Sequence, residues 1–241
     1  MAKIHMVLQG KGGVGKSFIA TVIAQYKMSK GQQPLCIDTD PVNATFHGFK
    51  ALNVRLLEIM QGDEIQTRNF DTLVELIAPS TDDVIIDNGA SSFVPLTHYL
   101  ISNQVPALLQ DMGHEMVVHT VITGSQALLD TVSGFAQLAS QFPAEALFVV
   151  WLNPFWGSIE HEGKNFEQMK AYTANKARVS AIVTIPTLKE DTYGRDLSDM
   201  LQERLTFDEA LALDSLTIMT RQRLKIVKGQ LFSQLDSAAV L

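Results

Sequence analysis

The stretch QGKGGVGKSF, residues 9–18, decides how the rest of the chain is read. It holds four glycines and two lysines, Lys11 and Lys16, and Gly10–Ser17 satisfies the pattern G-x-x-x-x-G-K-[S/T] throughout. Its flanks suit that pattern. Lys3–Leu8 upstream is short and apolar, as a buried strand would be. Lys16–Lys30 downstream has helical spacing and stops at Gly31. Glycines between a strand and a helix let backbone N–H groups curl around an anion without Cβ clashes, and the helix N-terminus adds partial positive charge at the same point. In such a loop Lys16 reaches the outer phosphates of a nucleotide and the Ser17 hydroxyl ligates Mg²⁺. The expected phosphate contacts are therefore Gly10, Lys11, Gly12, Gly13, Val14, Gly15, Lys16, Ser17 and Phe18. The bland alternative, a chance glycine-rich turn, does not explain the strand before and the helix after.

Further along, short apolar runs alternate with helical patterns. Gln33–Asp38, Asp83–Asp87, Met116–Thr123, Ala146–Leu152 and Arg178–Ile185 read as strands. Asn69–Ala78 and Gln126–Ser140 read as helices, and the chain beyond Leu188 is mostly helical in pattern. This alternation predicts the α/β class, a mostly parallel sheet with helices on both faces, in one domain spanning residues 1–241. A chain of 241 residues with 46% hydrophobic and 19% charged residues can bury a large core without staples. The single cysteine, Cys36, excludes an internal disulfide framework. A net charge of −7 argues against a generally basic nucleic-acid-binding surface. No run is long and apolar enough to span a membrane, and the start of the chain lacks the layout of a signal peptide, so a cytoplasmic location is expected.

Acidic residues end two of these strands. In CIDTDPVNAT, residues 36–45, Asp38 and Asp40 lie two apart at a strand's carboxyl end, where ligands bind in open α/β sheets. Read alone, they could equally be solvated acids capping the next turn. DVIID, residues 83–87, is an apolar strand ending in Asp87, the layout of an aspartate that holds Mg²⁺.

Lys11 narrows the reading. The form K-G-G-x-G-K-[S/T] resembles the deviant phosphate loop of the ParA/MinD family of dimerising ATPases, and DTDPVNAT resembles that family's switch I, with Val42 replacing a glutamine. The resemblance implies a homodimer formed with ATP and Mg²⁺, in which Lys11 acts on the nucleotide of the other subunit. It further implies that Lys16 is catalytic, that Asp40 positions or activates the attacking water, and that Asp38 supports the metal shell or the loop. Asn153, ending a strand, and Pro186, after another, match the family's adenine contacts, although an asparagine there is also an ordinary turn former. The metal set so implied is Ser17, Asp38 and Asp87. Switch II departs from the family pattern, reading Asn88-Gly89-Ala90-Ser91-Ser92 where two prolines are usual. Branches of the family that carry iron–sulfur clusters need cysteine pairs, which Cys36 alone cannot supply. The remainder of the chain is most similar to members carried by conjugative plasmids, implying a plasmid-transfer or partition partner protein.

The tail, MTRQRLKIVKGQLFSQL, residues 219–235, sets Arg221, Arg223, Lys225 and Lys228 beside an apolar stripe of Leu224, Val227, Leu231 and Leu235. Three readings are open: a terminal helix packed on the sheet, a DNA-contacting patch, or a membrane-surface helix. Three functions are likewise open: an ATP-operated dimer switch, a nucleotide-dependent scaffold with little hydrolysis, or a small-molecule kinase or ligase on the same fold.

Overall fold

Seven parallel strands form one sheet in the computed structural model, which describes residues 1–238 and 240–241. The chain runs β1 (Lys3–Val7), α1 (Lys16–Ser29), β2 (Leu35–Asp38), β3 (Arg55–Leu56) and a small hairpin of β4 (Met60–Gln61) and β5 (Glu64–Ile65). It continues through α2 (Asn69–Ile77), β6 (Val84–Asp87), α3 (Phe93–Ser102), α4 (Val105–Asp111), β7 (Glu115–Thr123), α5 (Leu128–Gln141) and β8 (Leu147–Asn153). A second hairpin of β9 (Glu160–His161) and β10 (Lys164–Asn165), then α6 (Lys170–Asn175), leads to β11 (Val179–Thr184). The chain closes with α7 (Arg195–Gln202), α8 (Phe207–Ala212) and α9 (Ile218–Ser237). The sheet order is β11-β8-β7-β1-β6-β2-β3, and every neighbouring pair is parallel.

Because helices cover both faces, strand residues are buried whichever way they point, which is why the strands read as continuous apolar runs. Ile4, Met6, Val84, Ile86 and Val118 face a core with α2, α3 and α4. Val7, Ile85, Val117, Val149 and Trp151 face the opposite core with α1 and α9. Helix α1 is enclosed on nearly every side, with Ile19, Ala20, Val22, Ile23 and Ala24 fully buried. Its far end is pinned by Lys27, whose ammonium lies 2.6 Å from Asp83 in a nearly buried ion pair. The other oxygen of Asp83 accepts from the Lys3 N–H at 2.8 Å, so one carboxylate fastens α1, β1 and the start of β6. Cys36 is buried in β2, and burial pushes its thiol up to about 12, leaving it protonated and inert.

The tail adopts the packed reading. Leu224, Val227, Leu231 and Leu235 are all buried against α1 and the sheet. Each such side chain contributes about 1.5–3 kcal/mol on burial. Turning all four toward a bilayer would uncover the apolar surface of α1 and the sheet beneath them, at a cost that is a large part of a domain's stability. The face on which a membrane helix would rely is thus committed to the core. Two of the basic residues are paired within the chain, Arg223 with Asp196 and Lys228 with Asp208, each at 2.5 Å. Among the described residues no helix is long and apolar enough to cross a membrane.

A buried polar line crosses the sheet on the α1 side. Trp151 Nε1–H donates to His119 Nδ1 at 3.0 Å, and His119 Nε2 lies 3.0 Å from His5 Nδ1. Since the indole can only donate, neutral His119 carries its proton on Nε2 and passes it toward His5. Both imidazoles are fully buried. Burial, with a smaller push from Lys27, lowers His119 to about 3, and burial together with His119 lowers His5 well below its ordinary value. A histidine depressed in the folded state contributes stability that is fully present above its unfolded pKa, about 6.5, and is lost as pH falls below it. Chemical denaturation at pH 7.5 and 5.5 should therefore show wild type losing roughly 2–3 kcal/mol more than the His5→Gln/His119→Gln double variant. Parallel losses in the two proteins would remove this account.

Candidate functional site

The loop between β1 and α1 is built around two left-handed glycines, Gly13 at φ 73° and Gly15 at φ 100°. At Gly15 space is short as well, since a Cβ there would lie 3.0 Å from Asn153 Nδ2. A side chain at 15 would thus suffer both backbone strain and a clash. Gln9, buried ahead of the loop, donates from its amide to the carbonyls of Val121 at 2.9 Å and Thr131 at 3.2 Å, tying the loop's entry to β7 and α5.

The two lysines point to different places. Lys16 is 8% exposed, and its ammonium donates to the Lys11 carbonyl at 3.0 Å, inside the curl of its own loop. Burial lowers its pKa, against the pull of Asp87 and Asp40. Lys11 leaves the loop and meets Asp130 on α5 at 2.8 Å, with the side chains 44% and 60% exposed.

The acids gather beneath the loop because β1, β6 and β2 end together. Val7 and Asp38 both pair in register with Asp87. Asp38 is fully buried, and its two oxygens accept from the backbone N–H groups of Asp40 and His47, each at 2.9 Å. Of the two roles expected for Asp38, this is the loop-holding one. Asp40 Oδ1 accepts from Val42 N–H at 2.9 Å and Asn43 N–H at 3.3 Å, closing the turn that follows. Asp87 is 1% exposed, and its Oδ1 has no hydrogen-bond partner among the described residues. Burial is the main force pushing its carboxyl up to about 7; Asp38 and Asp40 add to the push, while the nearby Ser17 hydroxyl and the charge of Lys16 oppose it.

That orphaned oxygen, next to a P-loop hydroxyl, is the observation against which Mg²⁺ can be tested. Leaving a buried carboxylate oxygen unmatched costs free energy unless a cation or ligand satisfies it. One hydroxyl and one carboxylate are the sparse protein donor set Mg²⁺ takes when phosphates and water complete its shell. Among the described residues no cluster of three or more His, Cys, Asp or Glu could hold a metal unaided. Ser17 and Asp87 therefore fit the ion.

Above them lies an open cavity of about 540 Å³, whose wall takes in Gly12, Gly13, Gly15, Lys16, Ser17, Phe18 and Asp40. Asn153 and Pro186 are not part of that wall. Asn153 instead donates from Nδ2 to the Val14 carbonyl at 2.9 Å and accepts from Phe155 N–H at 3.1 Å. It buttresses the phosphate loop from β8, at the position expected to contact adenine. Pro186 lies two residues beyond the end of β11.

The segment Asn88–Ser92 is held by its own hydrogen bonds. Asn88 Oδ1 accepts from the Ser92 hydroxyl at 2.8 Å and lies 3.1 Å from the Thr39 hydroxyl, linking switch II to the strand end of switch I. Gly89 has no room for a side chain: a Cβ there would meet Asp40 Oδ1 at 2.7 Å and Asp40 Cα at 3.1 Å. Sequence reasoning missed Gln9 and Thr39, buried polar residues whose partners lie on other strands or helices, and Ser92, whose partners are Asn88 and Gly89 in its own loop.

Known proteins agree with this geometry. Residues 5–226 match the family described as the CobQ/CobB/MinD/ParA nucleotide binding domain. Two Escherichia coli proteins named Protein TraL are 84% and 81% identical over 241 residues, covering 100% of this chain and 100% of each relative. The narrower resemblance expected from the sequence, to the TraL and StbB proteins of conjugative plasmids, is borne out for TraL. The MinD cell division protein of Aquifex aeolicus superposes with a TM-score of 0.54 at 16% identity, over 96% of this chain and 97% of that one, a likeness of fold. The phosphate loop at the carboxyl end of the central strand and the match across residues 5–226 lead to one conclusion: this chain belongs to the CobQ/CobB/MinD/ParA nucleotide-binding family.

Proposed function

We propose that this chain is an ATP-operated dimerisation switch with slow hydrolysis, whose ATP-bound homodimer engages a plasmid-transfer or partition partner protein in the cytoplasm. The division of labour between the lysines carries the reading. Lys16 turns into its own phosphate cavity, whereas Lys11 turns out of it to an exposed surface. An exposed ion pair such as Lys11–Asp130 is worth less than about 1 kcal/mol, so exchanging Asp130 for a partner's phosphates meets little resistance. Exposed apolar side chains lie close to the loop: Val42 in the cavity wall, Leu129 next to Asp130, and Phe155 stacked edge-on against Trp156, whose indole N–H donates to the Gly13 carbonyl. Burying such side chains between two copies supplies the apolar core a stable interface needs.

The chemistry assigned to the chain's own groups is positional. The loop's N–H groups and Lys16 hold the ATP phosphates. Ser17 and Asp87 would hold Mg²⁺, which neutralises charge as the terminal phosphoryl leaves. Asp40 spends only Oδ1 on its turn, so its other oxygen is available to orient a water in the cavity. Lys11 from the opposite subunit would act as a cationic finger. The use of Asp40 as a turn cap also favours the second reading, a scaffold that binds ATP and barely hydrolyses it. Turnover measured on the purified dimer separates the two.

Three outcomes test the proposal. Lys16→Ala should weaken ATP binding by about a hundredfold, since charge-assisted phosphate bonds are worth roughly 1.5–3 kcal/mol each; unchanged calorimetric affinity would sink the phosphate-loop assignment. Asp40→Ala should double its solution mass by light scattering with Mg-ATP and not without it. Adding Lys11→Ala should abolish that doubling while ATP still binds, and a dimer that persists would show that Lys11 does not bridge subunits. Gly89→Ala should keep ATP affinity yet slow hydrolysis by on the order of a hundredfold, because the added methyl displaces Asp40 by about an ångström. Wild-type turnover in that variant would mean that Asp40 does not position the water.

A further inference from the structure

The wall of the cavity beyond the phosphate loop ends in Arg204, a residue to which no motif points. It lies in the turn after α7 and shares the cavity with Lys16, Ser17 and Phe18. Three features hold it there. Its backbone is left-handed, at φ 56°. Its stem lies along Gly48, where an added Cβ would come within 3.1 Å of Arg204 Cδ and Nε. Its guanidinium sits over the ring of Phe49, 6.0 Å from the centroid, and Phe49 is itself buried and part of the cavity wall.

Some cations of this chain find carboxylates, as Lys11 does with Asp130 and Arg223 with Asp196, whereas Lys16 in the same cavity does not. Among the described residues no ion pair involves Arg204. A guanidinium stacked on an aromatic face keeps its in-plane N–H donors available, in a fork that matches phosphate oxygens. Here that fork is held in place before any ligand arrives, at the rim of a cavity whose other wall is a phosphate loop.

We infer that Arg204 is a further nucleotide-binding residue, contacting the phosphate chain from the side opposite the glycine loop. This rests on the reading of the cavity as an ATP site. Gly48 and Phe49 lie three and four residues beyond the switch I segment, in and just after the turn that closes it, so the same contact couples that turn to whether the cavity is filled.

The test is calorimetry of wild type, Lys16→Ala, Arg204→Gln and Arg204→Lys with Mg-ATP at two salt concentrations, with melting of each protein recorded without nucleotide. Arg204→Gln should raise the ATP dissociation constant at least tenfold and reduce its salt dependence, with unliganded melting unchanged. Arg204→Lys should recover part of the loss, because it restores charge without the fork. Affinity within about twofold of wild type in Arg204→Gln, alongside lost binding in Lys16→Ala, would overturn the inference and leave the ATP site standing. A fall in affinity matched by a fall in unliganded melting, and not recovered in Arg204→Lys, would also overturn it, since Arg204 would then be a packing residue. A wild type that binds no ATP would instead remove the reading on which the inference rests.

Discussion

The register of three parallel strands governs the site. Val7, Asp87 and Asp38 stand side by side at the ends of β1, β6 and β2. A slip of one residue along any of these ladders would turn an acid from the loop into the opposite core. With both faces apolar, Ile85 and Ile86 enter opposite cores, and it is the cost of driving Asp87 into either of them that opposes a slip. Below the ladder, Asp83 ties α1 and β1 to the same strand that ends in Asp87. The strand that anchors the helix therefore also delivers the acid, and the loop is held from both ends.

The site departs from the rule that buried polar groups are satisfied, and it does so at one place. Around it nearly everything is matched: Asp38 by two backbone donors, Asn88 by Ser92, Asn153 by the loop itself. Among the described residues, Asp87 alone of the buried acids keeps an oxygen without a partner, beside a buried ammonium that donates to a loop carbonyl. A rigid, satisfied frame around a charge-hungry centre is the arrangement expected of preorganised binding, where the ligand rather than the protein completes the network.

Much of this frame was legible in the residues. The central strands are apolar on both faces and bounded by glycine, proline or acids, so β1, β2, β6, β7, β8 and β11 were expected within a few residues of their observed limits. Helices α3 and α4 were not, because Pro95 and Pro106 fall in their first turns, where proline is tolerated but reads locally as a breaker. The two-residue strands of the hairpins carry too little periodicity to detect. In the site, the phosphate loop was legible because its chemistry is confined to eight consecutive residues. What escaped depends on distance along the chain. The bond from Asn153 to Val14 spans 139 residues, and Arg204 approaches Gly48 only through the fold. The histidine line was missed for the same reason: no local spacing marks His5, His119 and Trp151 as neighbours, since adjacent parallel strands bring them together.

The amide of Gln234 on α9 has a consequence beyond packing. It donates to the Thr184 carbonyl at 2.6 Å and accepts from the Thr184 N–H at 2.7 Å, imitating one rung of a ladder that no strand continues. At the other border of the sheet, β3 offers only Arg55 and Leu56. Exposed strand borders are templates on which chains polymerise or exchange segments. Here the last rung of one border is taken by a side chain and the other border is only two residues long, so neither invites open-ended growth of the sheet from chain to chain.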